Sequence, residues 1–382
     1  MILYDLTAAQ GWGTTKQHGG GKYAEIVFKA LCEKNASMVA MWDSKRWINE
    51  ELIALCEKSH VEMIDISNMS IESIVKSNKV TTIYSALPQD NLINYKGCRI
   101  IATLHGLREL EVPNDSILLR YPRNVFGKIR LILKMILPNK YIKRKSLRKY
   151  HRFFENEKMR VVAVSNHTKY AIGTFFPDVN IDDVPVFYSP STSNPIDAHR
   201  QESSEKYFLM VSANREEKNS LRAIMAFDDL LSKGKMNGFC MKITGIRENV
   251  FKFKLKNPDC FDFLGYVSEN ELNSLYANAY GFLYPSFSEG FGYPPLEAMR
   301  YGIPVLSSSH TSISEVCEGA ALYFNPFSIN EIENRLLQLS DKSIHSYYSA
   351  KGKLQYEKIT KKQEVDLDGI VRYLTSFNTP QL

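Results

Sequence analysis

The stretch that most constrains the fold is 281–306, which reads GFLYPSFSEGFGYPPLEAMRYGIPVL. Its apolar start predicts a short buried strand at 281–284, and a polar, glycine-rich loop follows. Pro294 and Pro295 predict a helix start, because their fixed φ suits a first turn and their missing N–H groups cost nothing there. Gly302 stands where a glycine ends such a helix. A strand, loop and helix in this order suit a phosphate at the helix N-terminus.

Two carboxylates flank this candidate anion site. Glu289 lies in the loop, and Glu297 follows eight positions later in the first turn of the predicted helix. Taken alone, Glu289 fits a solvated loop acid, and Glu297 fits an acid that complements the helix dipole. A single acidic pair is weak evidence for function, so these interpretations and a binding role both stay open.

The composition indicates a soluble globular protein with room for two domains. The chain has 382 residues, of which 44% are hydrophobic and 24% are charged. No apolar run approaches the ~20 residues that span a bilayer, and the first residues lack the pattern of a signal peptide. Six scattered cysteines without a C-x-x-C pair predict reduced thiols in a cytoplasmic protein, and no metal site.

The net charge of +6 is concentrated in one segment. The eleven Lys and Arg residues from Arg123 to Arg152 are accompanied by no Asp or Glu, so the rest of the chain is net negative. A local excess predicts a local anionic partner and argues against general nucleic-acid binding. Within this segment, apolar residues at helical spacing alternate with basic ones: Ile129, Ile132, Leu133, Ile136 and Leu137. Two interpretations stay open, an amphipathic helix on an anionic membrane surface and an ordinary packed helix with a solvated basic face.

Elsewhere, apolar strand-like runs alternate with helical segments, which predicts parallel, doubly wound sheets. In the first half the expected strands are 2–6, 37–42, 61–66, 80–86, 99–106, the run after Met159, and 184–191. The polar stretch 191–206 predicts a domain boundary, and the second half repeats the alternation from 206 onward.

Local cap signals refine the predicted helices of the second half. Ser268 with Glu271, and Ser312 with Glu315, each predict a capping box. Asn219 or Ser220 is the predicted N-cap of the helix that follows the strand at 206.

The string SEGFGYPPLEAMRYGIPV resembles the E-x7-E signature of retaining glycosyltransferases of family 4, also called glycosyl transferases group 1. The segments HGGGKY and FLGYVSENEL are similar to other parts of that family. The resemblance implies an α/β chain with the GT-B fold, in which two Rossmann-like doubly wound domains face a central cleft. The expected division is an acceptor-side domain at 1–195, a nucleotide-sugar domain at 196–364, and a helix at 365–382 that crosses back to the first domain.

The resemblance also implies roles for individual residues. Lys218 and Arg215 would clamp the diphosphate, with Arg215 compensating for Ala213, where the family often has an arginine. Glu289 and His105 would lie at the donor sugar and complete the catalytic set. The remaining donor-binding residues would contact phosphate, sugar, ribose and base: Gly20, Gly21, Tyr266, Val267, Ser286, Gly290, Phe291, Gly292 and Glu297.

The activity implied by the resemblance is metal-independent transfer of a sugar, with retention, from a UDP- or GDP-linked donor, without a cofactor. The expected acceptor is a lipid-linked glycan in the biosynthesis of O-antigen, capsule or a similar polysaccharide. Binding of 123–152 to an anionic membrane surface would place a cytoplasmic protein on the inner face of the membrane. Two alternatives stay open: a non-catalytic nucleotide-sugar-binding paralogue, and an epimerase or phosphorylase of the same fold.

Overall fold

The structure is a computed structural model that describes residues 1–11, 19–112, 114–121, 124–136, 143–191, 205–251 and 253–377. The chain divides into two compact units. The first unit consists of 1–107, 145–192 and 360–382, and the second consists of 108–144 and 193–359.

Strands and helices alternate along most of the described chain. The strands are β1 (Ile2–Asp5), β2 (Met38–Trp42), β3 (Met63–Asp65), β4 (Thr82–Ser85), β5 (Arg99–Leu104), β6 (Met159–Ala163), β7 (Lys206–Met210), β8 (Phe239–Thr244), β9 (Phe261–Gly265), β10 (Gly281–Tyr284), β11 (Val305–Ser308) and β12 (Ala321–Phe324). The helices are α1 (Gly19–Glu33), α2 (Glu50–Lys58), α3 (Ile71–Ser77), α4 (Asp90–Ile93), α5 (Arg108–Glu111), α6 (Val125–Ile136), α7 (Arg144–Phe154), α8 (Asn166–Phe175), α9 (Ser220–Ser232), α10 (Glu269–Asn278), α11 (Tyr293–Arg300), α12 (Ile313–Cys317), α13 (Ile329–Ser340) and α14 (Lys342–Ser376).

Each unit contains one six-stranded sheet, and the two sheets have the same order. The first sheet runs β3-β2-β1-β4-β5-β6 and the second β12-β11-β10-β7-β8-β9, which is the same order read from the other end. Neighbouring strands pair in parallel throughout. The strand order reverses between β1 and β4 in the first sheet, and between β7 and β10 in the second. Loops at such a topological switch point diverge and leave a crevice for a ligand. The predicted pair of doubly wound sheets is confirmed.

The cores follow from apolar residues on the sheet faces and on helix stripes. In the first unit α1 packs on the sheet through residues at helical spacing, and α14 contributes Ile370, Val371 and Leu374 to the same core. In the second unit α9 and α13 supply the main helical layer, with Phe227 and Leu336 fully buried. The central strands are buried on both faces, as expected for parallel sheets, so they are apolar almost without interruption.

Several predictions about local structure need correction. The segment 184–191 is not a strand, because its pairing is limited to an isolated bridge between Val186 and Ala163. Gly19, Gly20 and Gly21 form the first turn of α1 and do not lie in a loop before it. The helix predicted from 365 is the last part of one helix that begins at Lys342, and the predicted residues 378–382 lie outside the described chain. The predicted membrane stripe lies on α6 except for Leu137, which is outside the described residues.

Other local predictions are confirmed. β10 has the predicted bounds, and Gly302 follows α11 with a φ of +69°, a left-handed conformation that glycine adopts without strain. Ser268 and Glu271 form the predicted capping box of α10. No helix among the described residues has both the length and the apolar composition needed to cross a bilayer.

Candidate functional site

The switch point of the second sheet brings two distant loops together. The loop after β7 carries Lys218, and the loop after β10 carries Glu289, 71 residues later. β7 and β10 are adjacent parallel strands, so their carboxyl ends lie at the same edge of the sheet. The Lys218 Nζ lies 2.5 Å from Glu289 Oε1, and the two side chains are only 7% and 14% exposed. The predicted phosphate clamp and the predicted sugar ligand are therefore partners in one buried ion pair.

Two hydroxyl groups complete the surroundings of the Glu289 carboxylate. Tyr284, the last residue of β10, donates its hydroxyl to Oε1 at 2.7 Å, and Ser286 donates to the same oxygen at 2.6 Å. Lys218 also donates to the Tyr284 hydroxyl oxygen at 2.5 Å. These donors and the ammonium hold one carboxylate oxygen in a fixed place, which is the kind of preorganisation that a binding site needs.

The electrostatics of this group set its protonation state. Burial by itself would raise the pKa of the Glu289 carboxyl, but the charge of Lys218 and the hydrogen bonds from Lys218, Ser286 and Tyr284 outweigh burial and hold this pKa below its ordinary value. Burial, followed by the charge of Glu289, raises the pKa of Tyr284 well above its ordinary value. At neutral pH Glu289 is therefore an ionised hydrogen-bond acceptor, and Tyr284 is a neutral donor.

The backbone of Glu289 is fixed by the loop after β11. Its N–H donates to Thr311 Oγ1 at 2.9 Å, and its carbonyl accepts from the Ser312 hydroxyl at 2.9 Å. Ser312 is the N-cap of α12, but its side chain caps no backbone N–H. The predicted capping box with Glu315 is wrong: Ser312 has helical φ and ψ of −70° and −10°, which do not suit a capping side chain, and its hydroxyl holds Glu289 instead.

The loop that carries Lys218 is also held by long-range contacts. Asn219 adopts a left-handed conformation with φ of 54°, and its side-chain amide donates to the carbonyls of Pro285 at 3.2 Å and Pro326 at 2.7 Å. Asn219 is the N-cap of α9, as predicted, but it makes no side-chain cap and instead ties two loops together. Arg215, the second predicted diphosphate ligand, is exposed in the same loop.

The helix after Glu289 begins as the glycine-rich loop predicts. Gly292 has a φ of 110° and precedes α11, whose second and third residues are the two prolines. Glu297 is the fifth residue of α11, not a first-turn residue as predicted, and lies 3.5 Å from Arg300 of the same helix. Of the predicted donor-binding loop, Phe291 is buried and Gly290 is half-buried.

The predicted base-contacting residues lie between β9 and α10. Tyr266 is 91% exposed, and Val267 is half-buried. The capping box at Ser268 fixes the start of α10 directly after them. An aromatic side chain that is almost fully exposed offers a ring face to a planar ligand.

His105, Gly20 and Gly21 belong to the first unit. His105 follows β5, its Nε2 lies 3.0 Å from the Ala86 carbonyl oxygen, and its ring packs edge-on against Tyr23 at 4.7 Å. Gly20 faces Leu87 so closely that an added Cβ would lie 2.8 Å from that side chain. Gly21 is buried in the first turn of α1.

Sequence reasoning missed three residues of the site: Tyr284, Thr311 and Ser312. Tyr284 was interpreted as part of an apolar strand, although its position next to a polar loop was a usable signal. The role of Thr311 had no local signal, because it depends on contact between the loops after β10 and β11. These two strands are adjacent in the sheet, which the sequence alone does not reveal.

Comparison with known proteins gives consistent matches. Residues 193–354 match the family model for glycosyl transferases group 1. O-antigen chain mannosyltransferase RfbU of Salmonella typhimurium is 27% identical over 287 residues, which cover 71% of this chain and 77% of that protein. O-antigen chain mannosyltransferase B of Escherichia coli is 46% identical over 94 residues, 24% of this chain, and this match spans only 25% of its length.

A solved structure shows the fold over the whole chain. The structure of Anabaena Alr3699/HepE in complex with UDP and glucose matches with a TM-score of 0.63 at 14% identity, over 98% of this chain and 99% of that one. Together with the two doubly wound sheets, this likeness identifies the GT-B fold.

Proposed function

Because residues 193–354 match the family model for glycosyl transferases group 1 and the chain has the GT-B fold, we propose that it transfers a sugar from a nucleotide-sugar donor to a glycan acceptor during polysaccharide biosynthesis. The observation that carries this proposal is the buried ion pair of Lys218 and Glu289 at the switch point of the second sheet. It combines a cation for a diphosphate with a fixed carboxylate for sugar hydroxyls.

Lys218 would act on the leaving diphosphate. Without a donor its charge is matched by Glu289, and an arriving phosphate would give it a second anionic partner. Negative charge on the diphosphate grows as the glycosidic bond breaks, so a fixed ammonium stabilises the transition state more than the bound donor. Arg215 in the same loop and the positive end of the α11 dipole would add to this stabilisation. These groups would supply the positive charge, so we expect catalysis without a metal ion.

Glu289 would hold the donor sugar. An ionised carboxylate accepts hydrogen bonds from sugar hydroxyls, and Ser286 and Tyr284 already fix its orientation. The loop from Gly290 to Gly292 would contact the same sugar through its backbone. We propose retention of the anomeric configuration, as the family resemblance implies, without assigning Glu289 the role of covalent nucleophile.

The nucleoside and the first unit would complete donor recognition. Glu297 would accept hydrogen bonds from the ribose hydroxyls, while Tyr266 and Val267 would contact the base. In the first unit, Gly20 and Gly21 would contact the donor diphosphate, and His105 would lie close to the donor sugar. These roles come from the family resemblance of the motifs in which the residues lie.

We propose mannose as the transferred sugar and UDP or GDP as the nucleotide. The named relatives are O-antigen chain mannosyltransferases, and HepE was solved with UDP and glucose. A lipid-linked glycan would be the acceptor, and residues 123–152 would bring a cytoplasmic protein to an anionic membrane surface. Arg144 and Lys145 are exposed and suit a charge-reversal test of this contact, whereas Lys143 is partly buried and donates to the Leu110 carbonyl.

The decisive experiment incubates the purified protein with GDP-mannose and a panel of UDP- and GDP-linked sugars, with and without a lipid-linked acceptor. We expect acceptor-dependent transfer that persists in a chelator, with an anomeric configuration in the product equal to that of the donor by NMR. Lys218→Ala should lower kcat by ~10²-fold or more. Arg108→Ala is the control, because Arg108 pairs with Glu217 of the same loop at 2.8 Å but is exposed.

Three results would contradict the proposal. Failure of the folded protein to bind or cleave any nucleotide sugar would favour a non-catalytic role. Conversion of the donor sugar without transfer would favour an epimerase. Equal turnover by wild type and Lys218→Ala would remove the ion pair from the mechanism.

A further inference from the structure

Helix α6 has two apolar faces, and the described residues of its own unit cover only one of them. On the inner face Leu131 is buried against Leu118 and Phe287, with Met135 partly buried beside it. The outer face consists of six exposed side chains: Val125, Phe126, Ile129, Ile132, Leu133 and Ile136. At 3.6 residues per turn, these six positions fall within an arc of about 120°.

Such a continuous apolar face is unusual on a protein surface. Phe126 is 82% exposed and Ile136 is 74% exposed, on the same 12-residue helix. Single exposed apolar residues need no explanation, but no other described helix carries as many exposed large apolar residues as α6. A contiguous apolar face marks a surface that binds a protein or a membrane.

Charge decides between these two partners. Lys128 is exposed on α6, and the sequence from Arg123 to Arg152 contains eleven basic and no acidic residues. A second copy docked on this face would oppose two segments of like charge. An anionic lipid surface matches both the apolar face and the charge.

We propose that the outer face of α6 inserts into the surface of an anionic lipid bilayer, with the helix axis in the plane of the membrane. This inference deepens the proposed function and rests on it for the assumption that the acceptor is carried by a membrane lipid. Neighbouring lysines and arginines attract the segment at long range, and the six apolar side chains enter the boundary between headgroups and acyl chains.

The inner face of α6 connects this membrane contact to the donor site of the same unit. Phe287, on which Leu131 rests, donates its backbone N–H to the Glu217 carbonyl at 2.8 Å and lies two residues before Glu289. Ser288 donates to Glu111 at 3.3 Å, and Asp115 pairs with Arg222 at 3.0 Å. A bilayer-bound α6 is thus in direct contact with the loop that carries Glu289.

The test measures binding of the full chain to vesicles of phosphatidylcholine with and without phosphatidylglycerol. Ile129→Gln with Ile132→Gln should lower the partition coefficient for anionic vesicles at least about tenfold, because two apolar side chains no longer leave water. Both residues are exposed, so the double variant should fold as wild type does. Leu354→Gln with Val365→Gln is the matched control, since these residues are even more exposed, lie on α14 and should leave binding unchanged.

A second measurement reports insertion directly. Phe126→Trp should be quenched by brominated lipids in anionic vesicles beyond the background of the three native tryptophans. Equal binding of wild type to neutral and anionic vesicles, no binding to either, or unchanged binding of the Ile129/Ile132 variant would each overturn the inference. Self-association of wild type that this variant abolishes would assign the face to a second copy instead.

Nucleotide binding without vesicles separates the two proposals. Failure of the membrane inference leaves nucleotide affinity and donor cleavage intact, while vesicle binding is absent. Failure of the proposed function leaves vesicle binding intact, while no nucleotide sugar binds.

Discussion

The two sheets hold a buried carboxylate at their switch points in opposite ways. In the first unit, Asp5 at the end of β1 is fully buried and accepts hydrogen bonds from Ser85 at 2.6 Å and from Thr7. Burial raises the pKa of Asp5, and these hydrogen bonds only partly oppose the increase. In the second unit, the ammonium of Lys218 keeps the pKa of Glu289 below its ordinary value although it too is buried.

The difference shows what a buried carboxylate needs in order to stay ionised. Hydrogen bonds from Ser85 and Thr7 and the weaker effect of the Arg46 charge do not compensate for the loss of hydration at Asp5, whereas the ammonium in contact with Glu289 does so there. Asp5 and Ser85 link β1 to β4 and fill the first switch point with protein contacts. The ion pair at the second switch point offers two charged groups that an anionic, hydroxyl-rich ligand can bind.

The largest expected effect comes from making Glu289 resemble Asp5. Lys218→Met keeps much of the side-chain volume and removes the cation, leaving Glu289 buried with hydroxyl donors only. We expect the free energy of unfolding to fall by about 3–5 kcal/mol, the usual cost of breaking a buried pair. Urea denaturation measures this loss. Lys29→Met, which breaks the exposed pair with Glu51, should cost at most about 1 kcal/mol. Similar losses in the two variants would contradict the inference that the buried pair stabilises the fold more than an exposed pair does.

The next effect is a difference in pH dependence. The native pKa of Asp5 is raised above 3.8, so ionisation of Asp5 lowers the free energy of unfolding as pH rises from 3.8 through the native pKa. Asp5→Asn avoids this loss, so its stability relative to wild type should increase over the same range. The native pKa of Glu289 is lowered, so its contribution is present above 4.5 and lost as pH falls through the native pKa. The free energy of unfolding of Glu289→Gln relative to wild type should therefore decrease as pH rises.

Unfolding free energies of both variants between pH 3 and 8 check this comparison. Each unit of pKa shift changes stability by about 1.4 kcal/mol, which denaturant titrations resolve. If the stability of each variant relative to wild type changed with pH in the same direction, the environments of Asp5 and Glu289 would not differ as described.

The smallest expected effect compares two tyrosines on matching strands. Tyr84 of β4 shares its hydroxyl with Thr103 at 2.9 Å, whereas the Tyr284 hydroxyl of β10 contacts the charged Lys218 and Glu289. Tyr84→Phe should cost about 0.5–1.5 kcal/mol and Tyr284→Phe about 1.5–3 kcal/mol, since hydrogen bonds to charged groups are stronger. Thermal or urea unfolding of both variants measures the difference. A larger cost for Tyr84→Phe would reverse the ranking of the two sites.

Features set by local sequence were predictable, and features set by strand neighbours were not. Ser268-x-x-Glu271 and Ser312-x-x-Glu315 have the same pattern, yet only the first forms a capping box. The second fails because Ser312 adopts a helical backbone conformation, and its hydroxyl donates to the Glu289 carbonyl, 23 residues away in the sequence. Motif resemblance singled out Lys218 and Glu289 separately, but their pairing required the order of the strands.

The apolar stripe of α6 illustrates a second limit. Helical spacing predicted which residues share a face, and Ile129, Ile132, Leu133 and Ile136 do lie together. Spacing could not decide whether that face is covered. The answer depends on Leu131, which the pattern left outside the stripe and which is the residue that packs against Leu118 and Phe287.

The long helix α14 has a consequence for the order in which the protein folds during synthesis. The sheet of the first unit begins at residue 2, but its core also needs Ile370, Val371 and Leu374, and Asp366 accepts the Tyr188 N–H at 2.8 Å. On the ribosome, the earliest strands must wait for some of the last residues, whereas the segments of the second unit are complete by residue 359. The first unit therefore completes its core only after the whole of the second unit has been synthesised.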